Sequence, residues 1–196
     1  GASTVTNTVS QTVSGSGVFR NLLTAPTANF NSVTINNTSS GGVTFLGTSN
    51  IAAQPANSFS VSGTLTFTAG KINMSGGASF ILGSSISSLG TLSYTAGGFA
   101  SGSMFGRWFG ATTAGTAITA NTDPTTVTTR YPFVNSNNAV RSAWLERVTP
   151  VAAGGILAVT YTNVDGISPG VLTDAAAILD MKANDRWAIS SLGGTP

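Results

Sequence analysis

The chain has 196 residues with neither cysteine nor histidine, and only 7% of them are charged, against about 25% in ordinary globular domains. Lacking both residues excludes disulfides, thiolate zinc sites, imidazole ligands and catalysis by Cys or His. The net charge of +2 comes from eight Lys and Arg scattered singly; no basic stripe exists to neutralise phosphates, so no nucleic-acid partner is expected.

Thr, Ser, Asn and Gly supply the polarity. Disordered chains share that composition but are poor in β-branched and aromatic residues, which here recur at strand spacing, so the chain is read as folded. No apolar run approaches about 18 residues and no charged, apolar leader opens the chain. No membrane span is expected, and the sequence reads as a mature or excised piece of something longer.

In residues 1–29, Val5, Val9 and Val13 lie among Thr, Ser, Asn and Gln, whose poor helix propensity favours extended segments. Residues 30–58 hold looser apolar–polar–apolar beads, Val33-Thr-Ile35 and Val43-Thr-Phe45, with Gly41-Gly42 as a turn between them and Ala52–Ser58 as a protruding loop. Residues 59–94 are the regular part. The beads Phe59-Ser-Val61, Leu65-Thr-Phe67, Ile72-Asn-Met74 and Phe80-Ile-Leu82 start 6, 7 and 8 residues apart, Ile86 continues the beat, and Leu92-Ser-Tyr94 follows. Each bead places two side chains on one strand face. Strands this short make sense if successive turns of the chain stack on a shared core, the logic of a β-solenoid with short rungs.

The composition changes around Gly97–Ser103. Residues 1–106 contain two charged residues, Arg20 and Lys71, and residues 107–196 contain the other twelve. The second part reads as longer strands at 106–111, 125–134, 140–148, 156–163 and 187–190. Turn signals separate them at Asp123-Pro124, Asn135–Asn138, Gly154-Gly155 and Asp165-Gly166. Asp174–Lys182 has helical propensity with Asp174 as N-cap, although Leu179 and Met181 also fit one strand face; it is read as a helical turn leading into a strand. The expectation is therefore an all-β chain. A short-rung parallel β-solenoid occupies 1–105 (less regular over 1–58), and a small antiparallel β-sandwich-like module occupies 106–196.

The order of motifs, Gly63–Met74, then Gly102-Ser-Met-Phe-Gly-Arg-Trp108, Tyr131-Pro-Phe133 with Asn137–Arg141, Gly155–Asn163 and Arg186-Trp-Ala-Ile-Ser-Ser191, resembles the repetitive regions of large adhesin-like surface proteins of Bacteroidota exported by the type IX secretion system. The resemblance covers residues 59–196. Two departures are Val134, where the family usually has Gly, and the lack of the family's C-terminal sorting domain. It implies export to the cell surface and a structural or adhesive role, and supplies no catalytic residues. The partners it implies are neighbouring modules of the same long chain or other surface proteins.

Candidate sites are few. The carboxylates Asp123, Glu146, Asp165, Asp174, Asp180 and Asp185 form no recognisable catalytic pair. Asp123 and Asp165 sit at turns, and Glu146 is expected to pair with Arg141 or Arg147. Asn163-Val-Asp165-Gly166 hints at a calcium loop but fits a turn better. Lys71 or Lys182 lacks the motif a Ser-Lys nucleophile needs. Trp108, Trp144 and Trp187, with Tyr94, Tyr131 and Tyr161, could stack on a sugar, though aromatics in apolar strands are more often core. No enzyme activity, cofactor or metal is expected. The function expected is a stiff structural or adhesive segment of a secreted surface protein; the alternatives are a polysaccharide-binding module of a secreted enzyme and a self-assembling filament subunit.

Overall fold

The computed structural model describes residues 7–20, 27–47, 58–110, 130–145, 154–163, 172–174, 177–179 and 185–192. These residues are all-β, with no helix among them. The first half holds β1 (Asn7–Val13), β2 (Val18–Arg20), β3 (Thr27–Asn36), β4 (Val43–Leu46), β5 (Ser58–Val61), β6 (Thr64–Ala69), β7 (Lys71–Ser75), β8 (Ser79–Leu82), β9 (Thr91–Tyr94), β10 (Gly98–Phe99) and β11 (Met104–Phe109). Then come β12 (Arg130–Tyr131), β13 (Ala143–Trp144), β14 (Gly155–Asn163), β15 (Leu172–Asp174), β16 (Ala177–Leu179) and β17 (Asp185–Leu192).

Each regular bead forms a strand, but consecutive beads are not hydrogen-bonded neighbours. Phe59 pairs with Phe80, Leu65 with Leu92, and Ile72 with both Val43 and Phe99, all in parallel. Parallel strand partners lie between 21 residues (Phe59 and Phe80) and 33 residues (Asn36 and Ala69) apart. The physical reason is connection length. Parallel neighbours need a crossover of about a dozen residues or more, and the few Gly and Ser between beads cannot supply one; they turn the chain onto another face. The chain thus visits the sheets in one order twice, β5–β6–β7 and then β8–β9–β10. The parallel partner of each of these beads therefore lies at least 21 residues away, not one bead away.

The larger sheet runs β17-β14-β11-β8-β5-β3-β6-β9, with β1 on β3; the second runs β10-β7-β4-β2 and is parallel throughout. Strand β3 is long enough to pair with β5 through its first half and with β6 through its second. Apolar residues pair with apolar ones along the parallel strands: Phe59, Phe80 and Phe105; Val33, Leu65 and Leu92; Val43, Ile72 and Phe99. Strands β5 and β8 are buried at every residue, as expected of parallel strands covered on both faces.

The core holds these residues together with Ile35, Phe45, Phe67, Tyr131, Phe133, Val159 and Tyr161. A continuous series of ring contacts crosses it: Phe19 on Phe45 (5.1 Å), Phe45 on Phe80 (5.3 Å), Phe80 on Phe99 (5.4 Å), Phe99 on Phe133 (6.2 Å), Phe133 on Tyr161 (5.8 Å) and Tyr161 on Trp187 (5.5 Å). Full burial of Phe45, Phe80, Phe99 and Phe133 contributes about 2–3 kcal/mol per ring, while Phe19 and Trp187 at the two ends stay 40% and 42% exposed.

Several expectations change. Ile86 is not a bead: its side chain is 52% exposed, because Gly83–Gly90 forms an enlarged corner closed by Ser84 N–H to the Ser88 carbonyl at 2.8 Å. Gly97–Ser103, read as a composition boundary, carries β10, and β11 runs across position 105/106. Strands β11, β14 and β17 pair antiparallel and extend the first region's sheet. Asp174 caps no helix; it pairs with Ala177 in the antiparallel β15–β16 ladder. Between 125 and 134 the described residues are Arg130–Val134, with β12 followed by single bridges at Phe133 and Val134. Asn135–Asn138 turns as expected, with Asn138 at φ 60°. The loop at 52–57, Glu146, Arg147 and Asp165 lie outside the described residues.

Candidate functional site

The three tryptophans occupy three strands and three settings. Trp108 is half-buried on β11 opposite Ile156 and packs on Gly83, where a methyl group would come within 2.8 Å of the Trp108 Cβ. Trp144, on β13, is half-buried with the Arg130 guanidinium 5.1 Å from its ring centroid. Trp187, on β17, is 42% exposed and leans on Tyr161, its cross-strand partner. The first two are packing residues, and Trp187 alone of the three presents a large open ring.

The polar arrangements around them were not foreseen. Arg130 is 8% exposed, sandwiched between Trp144 and the Tyr94 ring at 4.1 Å. Such stacking compensates a desolvated guanidinium by roughly 2 kcal/mol or more. Beside it, the buried Arg107 donates from Nη1 to the Arg130 carbonyl at 2.9 Å. Burial lowers the Arg107 pKa, and the neighbouring Tyr131 partly opposes this. Asp185 accepts from the Tyr161 hydroxyl at 2.6 Å and from Arg141 Nε at 2.9 Å. The partner of Arg141 among the described residues is thus Asp185, 44 residues on. No local spacing could have announced it.

Tyr131 carries a pH prediction. Its hydroxyl donates to the Leu157 carbonyl at 3.0 Å, and burial raises its pKa above the ordinary 10.0 despite the nearby Arg107. A raised folded-state pKa gives stability that is complete below the unfolded pKa and is lost as pH rises through the folded one. Stability should therefore fall above about pH 10, with a slope of up to about 1.4 kcal/mol per pH unit from this group. Tyr131→Phe should remove most of that slope while costing about 1 kcal/mol at neutral pH for the lost hydrogen bond. Tyr94, also raised by burial, retains a share. Urea titrations between pH 8 and pH 11 read the effect; an unchanged alkaline slope in the variant would refute it.

No group of three or more His, Cys, Asp or Glu that could hold a metal occurs among the described residues. Asn163 donates its backbone N–H to Ser101 Oγ (2.8 Å) and its side-chain amide to Ser136 Oγ (3.2 Å). No described helix is long and apolar enough to cross a membrane. Comparison with protein-family models, with curated proteins and with solved structures finds no match to this chain.

Proposed function

We propose that the chain is a segment of a parallel β-solenoid, finished by antiparallel strands, that serves as a stiff structural and attachment element of a large secreted cell-surface protein. The observation that carries the reading is the parallel register, in which Phe59, Phe80 and Phe105, or Val43, Ile72 and Phe99, stack on one another. Repetition of that kind produces length, since each added circuit extends a sheet by about 4.8 Å. The cell-surface setting rests on the resemblance of the motifs, and the role assigned involves no catalysis.

Duplicating residues 71–97, one circuit between Lys71 and its partner Gly98, tests it. The enlarged chain should unfold in one cooperative transition and be about 5 Å longer by small-angle scattering. An unfolded or aggregated product beside a well-folded parent would sink the solenoid reading. A second reading, glycan stacking, is favoured by the open Trp187 ring held by Tyr161 beside the Asp185–Arg141 pair. The binding experiment below also reads it.

A further inference from the structure

One corner of the stack holds a cleft of about 350 Å³. Its floor is Gly70 and Gly97, the residues that turn β6 into β7 and β9 into β10. One wall is the link from β3 to β4, residues 37–40, and the other includes Asn138 of the 135–138 turn. The floor is close-packed: Asn37 N–H donates to the Ala69 carbonyl and Gly98 N–H to the Gly70 carbonyl, each at 3.0 Å. The first wall is braced from below, where Asn73 Nδ2 donates to the Gly41 carbonyl at 2.8 Å.

The cleft is rich in donors, and none of its described lining residues is acidic. Lys71 lies on its rim, half-buried, with its Cβ close over Gly42, where a methyl group would come within 3.0 Å of it. The first carboxylate in the sequence is Asp123, and the ion pair found among the described residues, Arg141 with Asp185, does not involve Lys71. Asn37 is 1% exposed; its Oδ1 accepts Ser39 N–H at 2.8 Å, while its Nδ2 is buried with no hydrogen-bonding partner. That bond to Ser39 fixes which end of the amide is the donor. A buried donor left unpaired costs about 1–3 kcal/mol. The hydroxyls of Thr38, Ser39 and Ser40 add to the lining.

We infer that this corner binds an acidic sugar, with its carboxylate or sulfate on Lys71 and its ring hydroxyls among Asn37–Ser40. The cleft's volume has room for more than an inorganic anion, at the lower end of the roughly 300–1,000 Å³ of small-ligand sites. None of the described lining residues is aromatic, which favours a ligand whose surface is mostly polar. A uronate and a sulfated sugar offer the same oxyanion, and the two are separated by experiment. The inference goes beyond the rod reading and does not depend on it: the corner exists whether the chain serves as stalk or as attachment module.

The test is calorimetric titration of the full chain with three short oligosaccharides: a galacturonate, a sulfated galactan and a neutral galactan. At least one acidic ligand should bind, with the neutral one at least about tenfold weaker, as loss of a charge-assisted contact implies. Binding should weaken with added salt. Lys71→Met should reduce affinity at least about tenfold with unchanged thermal unfolding, and Lys71→Arg should retain most of it. Should Lys71→Met not fold, the salt dependence and the acidic-to-neutral ratio of the parent chain still decide. Preference for one acidic ligand names the source of the oxyanion. Three outcomes overturn the inference: no binding of either acidic ligand, equal binding of the neutral one, or acidic binding that survives Lys71→Met but is lost in Trp187→Ala. The last would assign recognition to the β17 surface.

Discussion

Phe99→Ala lowers the stability of the chain by about 4 kcal/mol, the upper part of the range for truncating a buried phenylalanine. Phe99 is 0% exposed, and its ring lies among rings from β6, β8 and β11 and that of Phe133. It stacks on Phe105 at 4.5 Å, touches Phe67 and Phe80 at 5.4 Å each, and faces Phe133 at 6.2 Å. Its backbone is equally engaged, with N–H to the Pro132 carbonyl and its own carbonyl accepting from Val134. The cavity left by truncation is walled by rings fixed from several strands, so little collapse can fill it. Against a total of about 5–15 kcal/mol, such a loss moves the chain to the edge of unfolding. Urea denaturation followed by tryptophan fluorescence measures it, with Ile86→Ala as an exposed control expected to change stability by no more than about 0.5 kcal/mol. A loss for Phe99→Ala as small as the control's would mean that Phe99 is not the centre of this core.

Gly97→Ala is expected to cost more than about 3 kcal/mol, whereas Gly77→Ala costs about 1–2 kcal/mol. Both glycines have positive φ, 92° and 73°, so both substitutions carry the left-handed penalty. Only the surroundings differ. A methyl group on Gly97 would overlap the Gly70 carbonyl oxygen and lie 2.8 Å from the Gly70 nitrogen, while one on Gly77 would meet nothing within 4 Å. The excess at Gly97 measures how tightly one circuit sits on the next, because its relief requires separating the β6–β7 corner from the β9–β10 corner. Parallel denaturation curves for the two variants give the difference, and equal losses would show that the corners are not in contact.

Strand identity was legible in this sequence, and strand partnership was not. The beads at Phe59, Leu65, Ile72 and Phe80 announced β5 to β8 through simple alternation, and Leu157–Thr162 did the same for β14. Alternation reports which side chains share a face and is silent about which strand lies alongside. That depends on corner lengths. Val61 and Leu65 are separated by a tight corner, whereas Leu82 and Leu92 are separated by the enlarged one that carries Ile86 into solvent. Strand β10 escaped notice because two residues cannot show a period, and its glycines looked like a boundary. At the surface, Trp187 could be picked out by residue type, but its support could not. Asp185 reaches Tyr161 and Arg141 only after β14 and β17 have paired. The Lys71 corner was hidden for the same reason: Asn37, Lys71 and Gly97 are far apart in the chain and meet only through stacking.

The order of the larger sheet also determines how the chain carries tension. From β1 through β3, β5, β8, β11 and β14 to β17, sequence order and spatial order coincide. A pull entering at β1 and leaving at β17 therefore runs along the inter-strand hydrogen bonds. Rows loaded in this way open in succession, as in a zipper, instead of resisting together in shear. Their lengths are unequal, from three residue pairs between β5 and β8 to eight between β14 and β17. The short rows gain support from β4–β7 in the second sheet and from β6–β9 at the end of the larger one. Under load such a sheet lengthens in steps, one strand pairing at a time, each step exposing the core residues of the strand released.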